Sequence, residues 1–153
     1  MKHYFWTAVM MAIACVFTAC GSKESGNKQL VLYYSQTGAT KAVAETIQKM
    51  LDADVEAIEL ENPYTGSYAE TVQRAGQERQ SGNMPKLKPL TSDLSKYETI
   101  YLGFPIWYGT YALPIASLVK EYDFEGKKIV TFCTFGSGGL EPAMADLKNA
   151  LPK

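Results

Sequence analysis

Leu30-Val31-Leu32-Tyr33-Tyr34-Ser35-Gln36-Thr37-Gly38-Ala39-Thr40 is the stretch on which the fold of this chain turns. Its first half is a short apolar run bounded by polar residues, the pattern of a buried strand over 29–34. Its second half is rich in Ser, Thr and Gly. Beyond it Val43, Ile47, Met50 and Leu51 recur at helical spacing and mark a helix over about 41–51.

The same alternation continues outward. Residues 54–60 read as a second, partly exposed strand, broken by Asn62-Pro63 and Gly66. A polar helix follows over 68–80, and Gly82, Pro85 and Pro89 then make a long connection. Residues 99–104 are a third strand, and 111–122 contain a helix opened near Pro114. Residues 128–133 are a fourth strand, and 141–151 a fourth helix with Pro142 near its start, where proline is tolerated. Strands alternating with helices imply one parallel sheet covered on both faces. Right-handed crossovers gather the loops that follow the strands at one edge, where doubly wound folds bind ligands.

Composition narrows the function. A chain of 153 residues suits one domain with a single core. The formal net charge is −1, and beyond residue 28 acidic side chains slightly outnumber basic ones, which argues against nucleic acid. The only histidine, His3, precedes the domain, so Ser-His-Asp and Cys-His schemes are unavailable to the folded part. Cys15 and Cys20 also precede it. Cys133 is alone, so neither an intradomain disulfide nor a multi-cysteine metal site is expected. At the end of an apolar strand, Cys133 reads as a buried inert thiol rather than a redox nucleophile.

The N-terminus reads as an address. Lys2 and His3 precede an apolar stretch from Tyr4 to Ala19, short for a membrane-spanning helix. It ends Phe17-Thr18-Ala19-Cys20, followed by polar residues 21–28. This resembles the lipobox of bacterial lipoproteins, with Phe17 in place of the usual leucine and Cys20 as the lipidated residue. Cys15 is a second candidate, and an uncleaved anchor or an ordinary signal peptide are the alternatives. The expected organisation is a signal peptide over 1–20, a flexible linker over 21–28 and a domain over 29–153. Lipidation implies a bacterial cell envelope protein tethered to a membrane.

Three loops at the ligand-binding edge carry chemistry. Ser35-Gln36-Thr37-Gly38-Ala39-Thr40 opens a helix, where free N–H groups and the positive end of the helix dipole suit an anion. It is neither a Walker loop nor Gly-x-Gly-x-x-Gly, and by itself it also fits a plain capped helix start. Pro105-Ile106-Trp107-Tyr108-Gly109, after the third strand, sets two adjacent aromatics before a glycine, by themselves core or partner-facing surface. Thr134-Phe135-Gly136-Ser137-Gly138, after the fourth strand, reads alone as a weak Gly-x-Gly dinucleotide signal, lacking the third spaced glycine, or as a flexible turn. Tyr64 and Tyr68 are free either to cover a ligand or to pack.

Ser-x-Thr-Gly-x-Thr after an apolar strand, followed by Pro-Ile-Trp-aromatic-Gly, resembles the flavodoxin-like FMN-binding family over residues 29–151. The resemblance implies a flavodoxin-like α/β fold with strand order 2-1-3-4. It places an FMN phosphate on Ser35–Thr40, the flavin ring against Trp107 and Tyr108, and its pyrimidine end on the third loop. FMN is implied rather than FAD because no adenine-binding segment is present. The family fold has a fifth strand and helix, whereas this chain stops at Lys153, which points to a fragment or else to a four-stranded sheet with an exposed edge. The function implied is electron transfer at a membrane surface, to a redox partner protein or a small acceptor. An FMN-dependent NAD(P)H or quinone oxidoreductase is the alternative, with Tyr64, Tyr108 and Tyr111 shaping a second substrate site. A flavin-free module of the same fold is the third reading. Lys41, directly after the phosphate loop, has no role beyond weak help with charge.

Overall fold

The computed structural model describes residues 28–152. The expected signal segment over 1–20, with Cys20, and all of the expected linker but Lys28 lie outside the described residues. The elements run β1 (Gln29–Tyr33), α1 (Ala39–Leu51), β2 (Asp54–Ala57), α2 (Tyr68–Ser81), β3 (Thr99–Trp107), β4 (Thr110–Tyr111), α3 (Leu113–Glu121), β5 (Lys128–Thr134) and α4 (Leu140–Ala150). The parallel sheet has the order β2-β1-β3-β5, and the two-residue β4 pairs antiparallel with the end of β3. Among the four long strands this is the expected 2-1-3-4 order. Among the described residues no helix is long and apolar enough to cross a membrane.

Side chains alternate across the sheet and divide the core in two. Leu30 and Leu32 of β1 join Ile100, Leu102 and Phe104 of β3 on one face, against Ile115 and Leu118 of α3, Leu147 of α4 and Ala75 of α2. Val31 and Tyr33 point the other way, onto Ala44 of α1 and Ala53. On that second face Tyr101 and Phe132 are only half-buried. Gly103 of β3 lies under the Phe132 ring, and any Cβ there would run into it.

The structure moves several boundaries. β2 ends at Ala57 rather than residue 60, because β1 ends at Tyr33, the partner of Ala57. Beyond that point Leu60 instead bridges Leu87 of the long connection. β3 runs three residues past Phe104 to Trp107, because its register with β5 extends to Pro105 and its tip then folds back on β4. Tyr111 therefore belongs to β4, and α3 starts at Leu113 with a proline in its first turn. Cys133 is half-buried rather than buried, since β5 pairs only with β3 among the described residues, and burial still pushes its thiol pKa up.

Candidate functional site

The first loop is shaped for an anion. Gly38 precedes α1 with φ 91°, in the left-handed region that glycine reaches without strain. No side chain caps this helix, and its first turn holds no acidic residue. The N–H groups there are therefore open to a negatively charged ligand. Ser35 Oγ accepts from the Gly38 N–H at 3.2 Å, and the Tyr34 hydroxyl donates to Gln36 Oε1 at 2.7 Å. Gln36 Nε2 in turn donates to the Tyr64 carbonyl at 2.9 Å. The buried Thr40 hydroxyl shares a 2.8 Å hydrogen bond with that of Thr134, which ties the first loop to the third. Lys41 pairs with Glu45 at 3.7 Å on the exposed side of α1, a contact worth little.

The second loop is the tip of a hairpin. Trp107 pairs with Thr110, leaving Tyr108 and Gly109 as the turn with φ 52° and 74°. Positive φ at both positions matches the twist of the strands, at a cost for a bulky residue such as Tyr108. Three contacts hold it there. The Tyr108 hydroxyl donates to the Val72 carbonyl of α2 at 2.6 Å. Thr110 donates to Asp146 Oδ2 of α4 at 2.6 Å. Gly139, at the start of α4, sits so close that a Cβ would lie 3.0 Å from Gly109 Cα. Trp107 stands nearly perpendicular to two buried tyrosines, with ring centroids 5.9 Å from Tyr34 and 5.3 Å from Tyr64. Burial drives the pKa of both phenols far up, so each remains a proton donor.

These loops enclose a cleft of about 280 Å³. Gln36, Thr37 and Thr40 line it from the first loop, and Pro105, Ile106, Trp107 and Tyr108 from the second. Ser35, Gly38, Ala39 and Gly109 belong to the same loops without facing the cleft. Of the third loop, Thr134 reaches the site through Thr40, while Phe135, Gly136, Ser137 and Gly138 lie outside the lining. The remaining wall is α2, through Tyr68, Thr71, Val72 and Ala75, of which sequence reading raised only Tyr68. Two signals in the sequence bear on this wall. Ser67 and Glu70 form a capping box that fixes where α2 begins, and Ala75-Gly76 is a small pair where the helix meets Tyr108. Tyr64 proves to be packing, Tyr68 is largely exposed at the cleft mouth, and Tyr111 packs on Phe104 away from the cleft.

Residues 28–153 match a family model described as Flavodoxin. The fold is also similar to solved structures. A candidate flavoprotein from Bacteroides uniformis superposes with a TM-score of 0.73 at 31% identity, over 81% of this chain and 82% of that one. Another from Bacteroides eggerthii gives 0.73 at 26% identity, over 80% and 79%. A flavoprotein from Lactobacillus acidophilus, solved in complex with FMN, gives 0.72 at 25% identity, over 81% and 85%. No curated protein matches the chain in sequence.

Proposed function

The chain belongs to the flavodoxin family, and on that premise we propose that it binds FMN in this cleft and carries electrons at a membrane surface. One observation carries the reading: Thr37 and Thr40, which bracket the uncapped start of α1, line the same cleft as the aromatic end of β3. A phosphate suits the first because N–H donors and the helix dipole favour a dianion and no carboxylate opposes it. A flat ring suits the second because Trp107 and Tyr108 offer apolar surface beside α2. FMN carries both groups at its two ends, and the FMN complex of the Lactobacillus acidophilus protein supports the choice.

In this reading the backbone of Ser35–Thr40 holds the phosphate, and Trp107 and Tyr108 orient the ring. The third loop, tethered by the Thr40–Thr134 bond, offers its amides to the pyrimidine end. The flavin supplies the redox chemistry, and the protein supplies orientation and electrostatics. Electron transfer through a flavin needs no acid or base residue, and among the described residues the cleft lining holds no carboxylate, histidine or lysine, which favours a carrier over a reductase. Lipidation at Cys20, followed by the linker over 21–28, would hold the domain at the membrane of a bacterial envelope.

The purified full chain should show flavin absorbance or take up FMN in titration. Absence of both establishes a flavin-free module. Rapid NAD(P)H oxidation with a quinone and no partner reductase would establish the oxidoreductase instead. Cys20→Ser should abolish incorporation of labelled fatty acid into the expressed protein, and unchanged labelling rules out Cys20 as the lipidated residue.

A further inference from the structure

Behind Trp107, on the side away from the cleft, lies a set of polar contacts that ligand binding does not by itself require. The Tyr64 hydroxyl donates to one oxygen of Glu78, and Arg74 Nε donates to the other at 2.8 Å. The two remaining Arg74 nitrogens donate to the carbonyls of Asn62 and Pro63 at 2.9 Å each. The guanidinium also lies 4.2 Å from the centroid of the Tyr64 ring. A simple i,i+4 ion pair on α2 would face solvent. This one is turned onto the loop over 62–64, and the Glu78 side chain is only 17% exposed. Partly buried ion pairs such as this one add little net stability against apolar packing, but with several hydrogen bonds they impose geometry. The residue they grip touches both ends of the cleft, since the Tyr64 ring backs Trp107 and its carbonyl holds Gln36.

We propose that Glu78 is a positioning residue for Trp107, acting through the Tyr64 hydroxyl, so that a residue of α2 outside the cleft lining sets the orientation of the ring-binding surface. The inference rests on the reading of the cleft as a flavin site. It assigns Glu78 and Arg74 a part in ligand geometry, and it makes Tyr64 the joint between the aromatic loop and the phosphate loop.

The test uses the full chain with Trp6→Phe, which leaves Trp107 as the only indole. Tyr64→Phe keeps the ring and removes the hydroxyl, and Glu78→Gln removes the charge and the ion pair. Each should weaken FMN binding about three- to tenfold, the range of one lost hydrogen bond. Each should also change the near-ultraviolet circular dichroism of Trp107 while the far-ultraviolet spectrum is unchanged. The double variant should be no worse than the more affected single one, because both act on the same contact. Trp107 spectra unchanged with affinity within twofold, or losses that add in the double variant, overturn the proposal. If Glu78→Gln does not fold, Tyr64→Phe decides alone by the same two readouts. Failure of the parent protein to bind FMN refutes the flavin reading, and the Trp107 spectrum of the ligand-free variants then still decides the positioning role.

Discussion

Trp107 and Tyr108 are adjacent in sequence and differ in what holds them. Trp107 is backed by two buried tyrosines, so its ring is a fixed surface. Trp107→Ala should cost about 1–3 kcal/mol of FMN affinity through lost stacking area, read by calorimetric titration. Tyr108 is half exposed and is anchored at its tip, where its hydroxyl meets α2. Gly76 leaves room for that tip, for a Cβ there would lie 2.9 Å from the hydroxyl. Gly76→Ala gains up to about 1 kcal/mol of helix preference. It displaces the Tyr108 hydroxyl from the Val72 carbonyl at a cost of about 0.5–1.5 kcal/mol, so the urea midpoint should change little. The substitution should still weaken FMN binding as Tyr108 is displaced, a divergence that urea melts and flavin titration on one sample would show. The aromatic pair was legible in sequence because Trp and Tyr before a glycine are a local pattern. The positive φ of Tyr108 was not, since its compensation comes from a carbonyl on another helix.

At the scale of elements, the strands and helices lie where periodicity and turn residues place them, and the differences fall at their ends. β2 carried an alternating pattern beyond Ala57, yet pairing stops where β1 runs out. β3 went further than its apolar run because a hairpin and β5 extended its pairing. Glu56 on β2 shows how an edge element is tied down. Its carboxylate accepts from the N–H groups of Thr91 at 2.6 Å and Ser92 at 2.9 Å, and from the Thr91 hydroxyl at 3.0 Å. Burial pushes its pKa up, but the hydrogen bonds from Ser92 and Thr91 outweigh that and hold it below its ordinary value of 4.5. A carboxylate depressed in the folded state contributes stability above its unfolded pKa and loses it as pH falls through the folded one. Glu56→Gln should therefore lower the urea midpoint at neutral pH and flatten its decline as the solution is acidified below about pH 4.5. A variant whose acid limb is as steep as the parent's would show that the carboxylate is not linked to folding.

At the scale of the whole molecule, binding and stability are linked through the cleft. Its walls come from both loops and from α2, so a ligand that occupies it holds three parts of the chain together. FMN at a hundred times its Kd should raise the unfolding free energy by about 2.7 kcal/mol, seen as a higher Tm. Riboflavin, which lacks the phosphate, should raise it less at equal concentration, and equal shifts would place the phosphate away from the start of α1. The sequence by itself determined the order of the long strands and helices, the parallel sheet, and where the Ser/Thr-rich and aromatic loops fall, because spacing of apolar residues and turn chemistry are properties of neighbouring residues. Only the tertiary structure decided that α2 walls the cleft, that Tyr64 stands behind Trp107, and that most of the third loop lies outside the lining. Those outcomes depend on which distant segments meet, as Thr40 and Thr134 do across 94 positions, and no local pattern records such a distance.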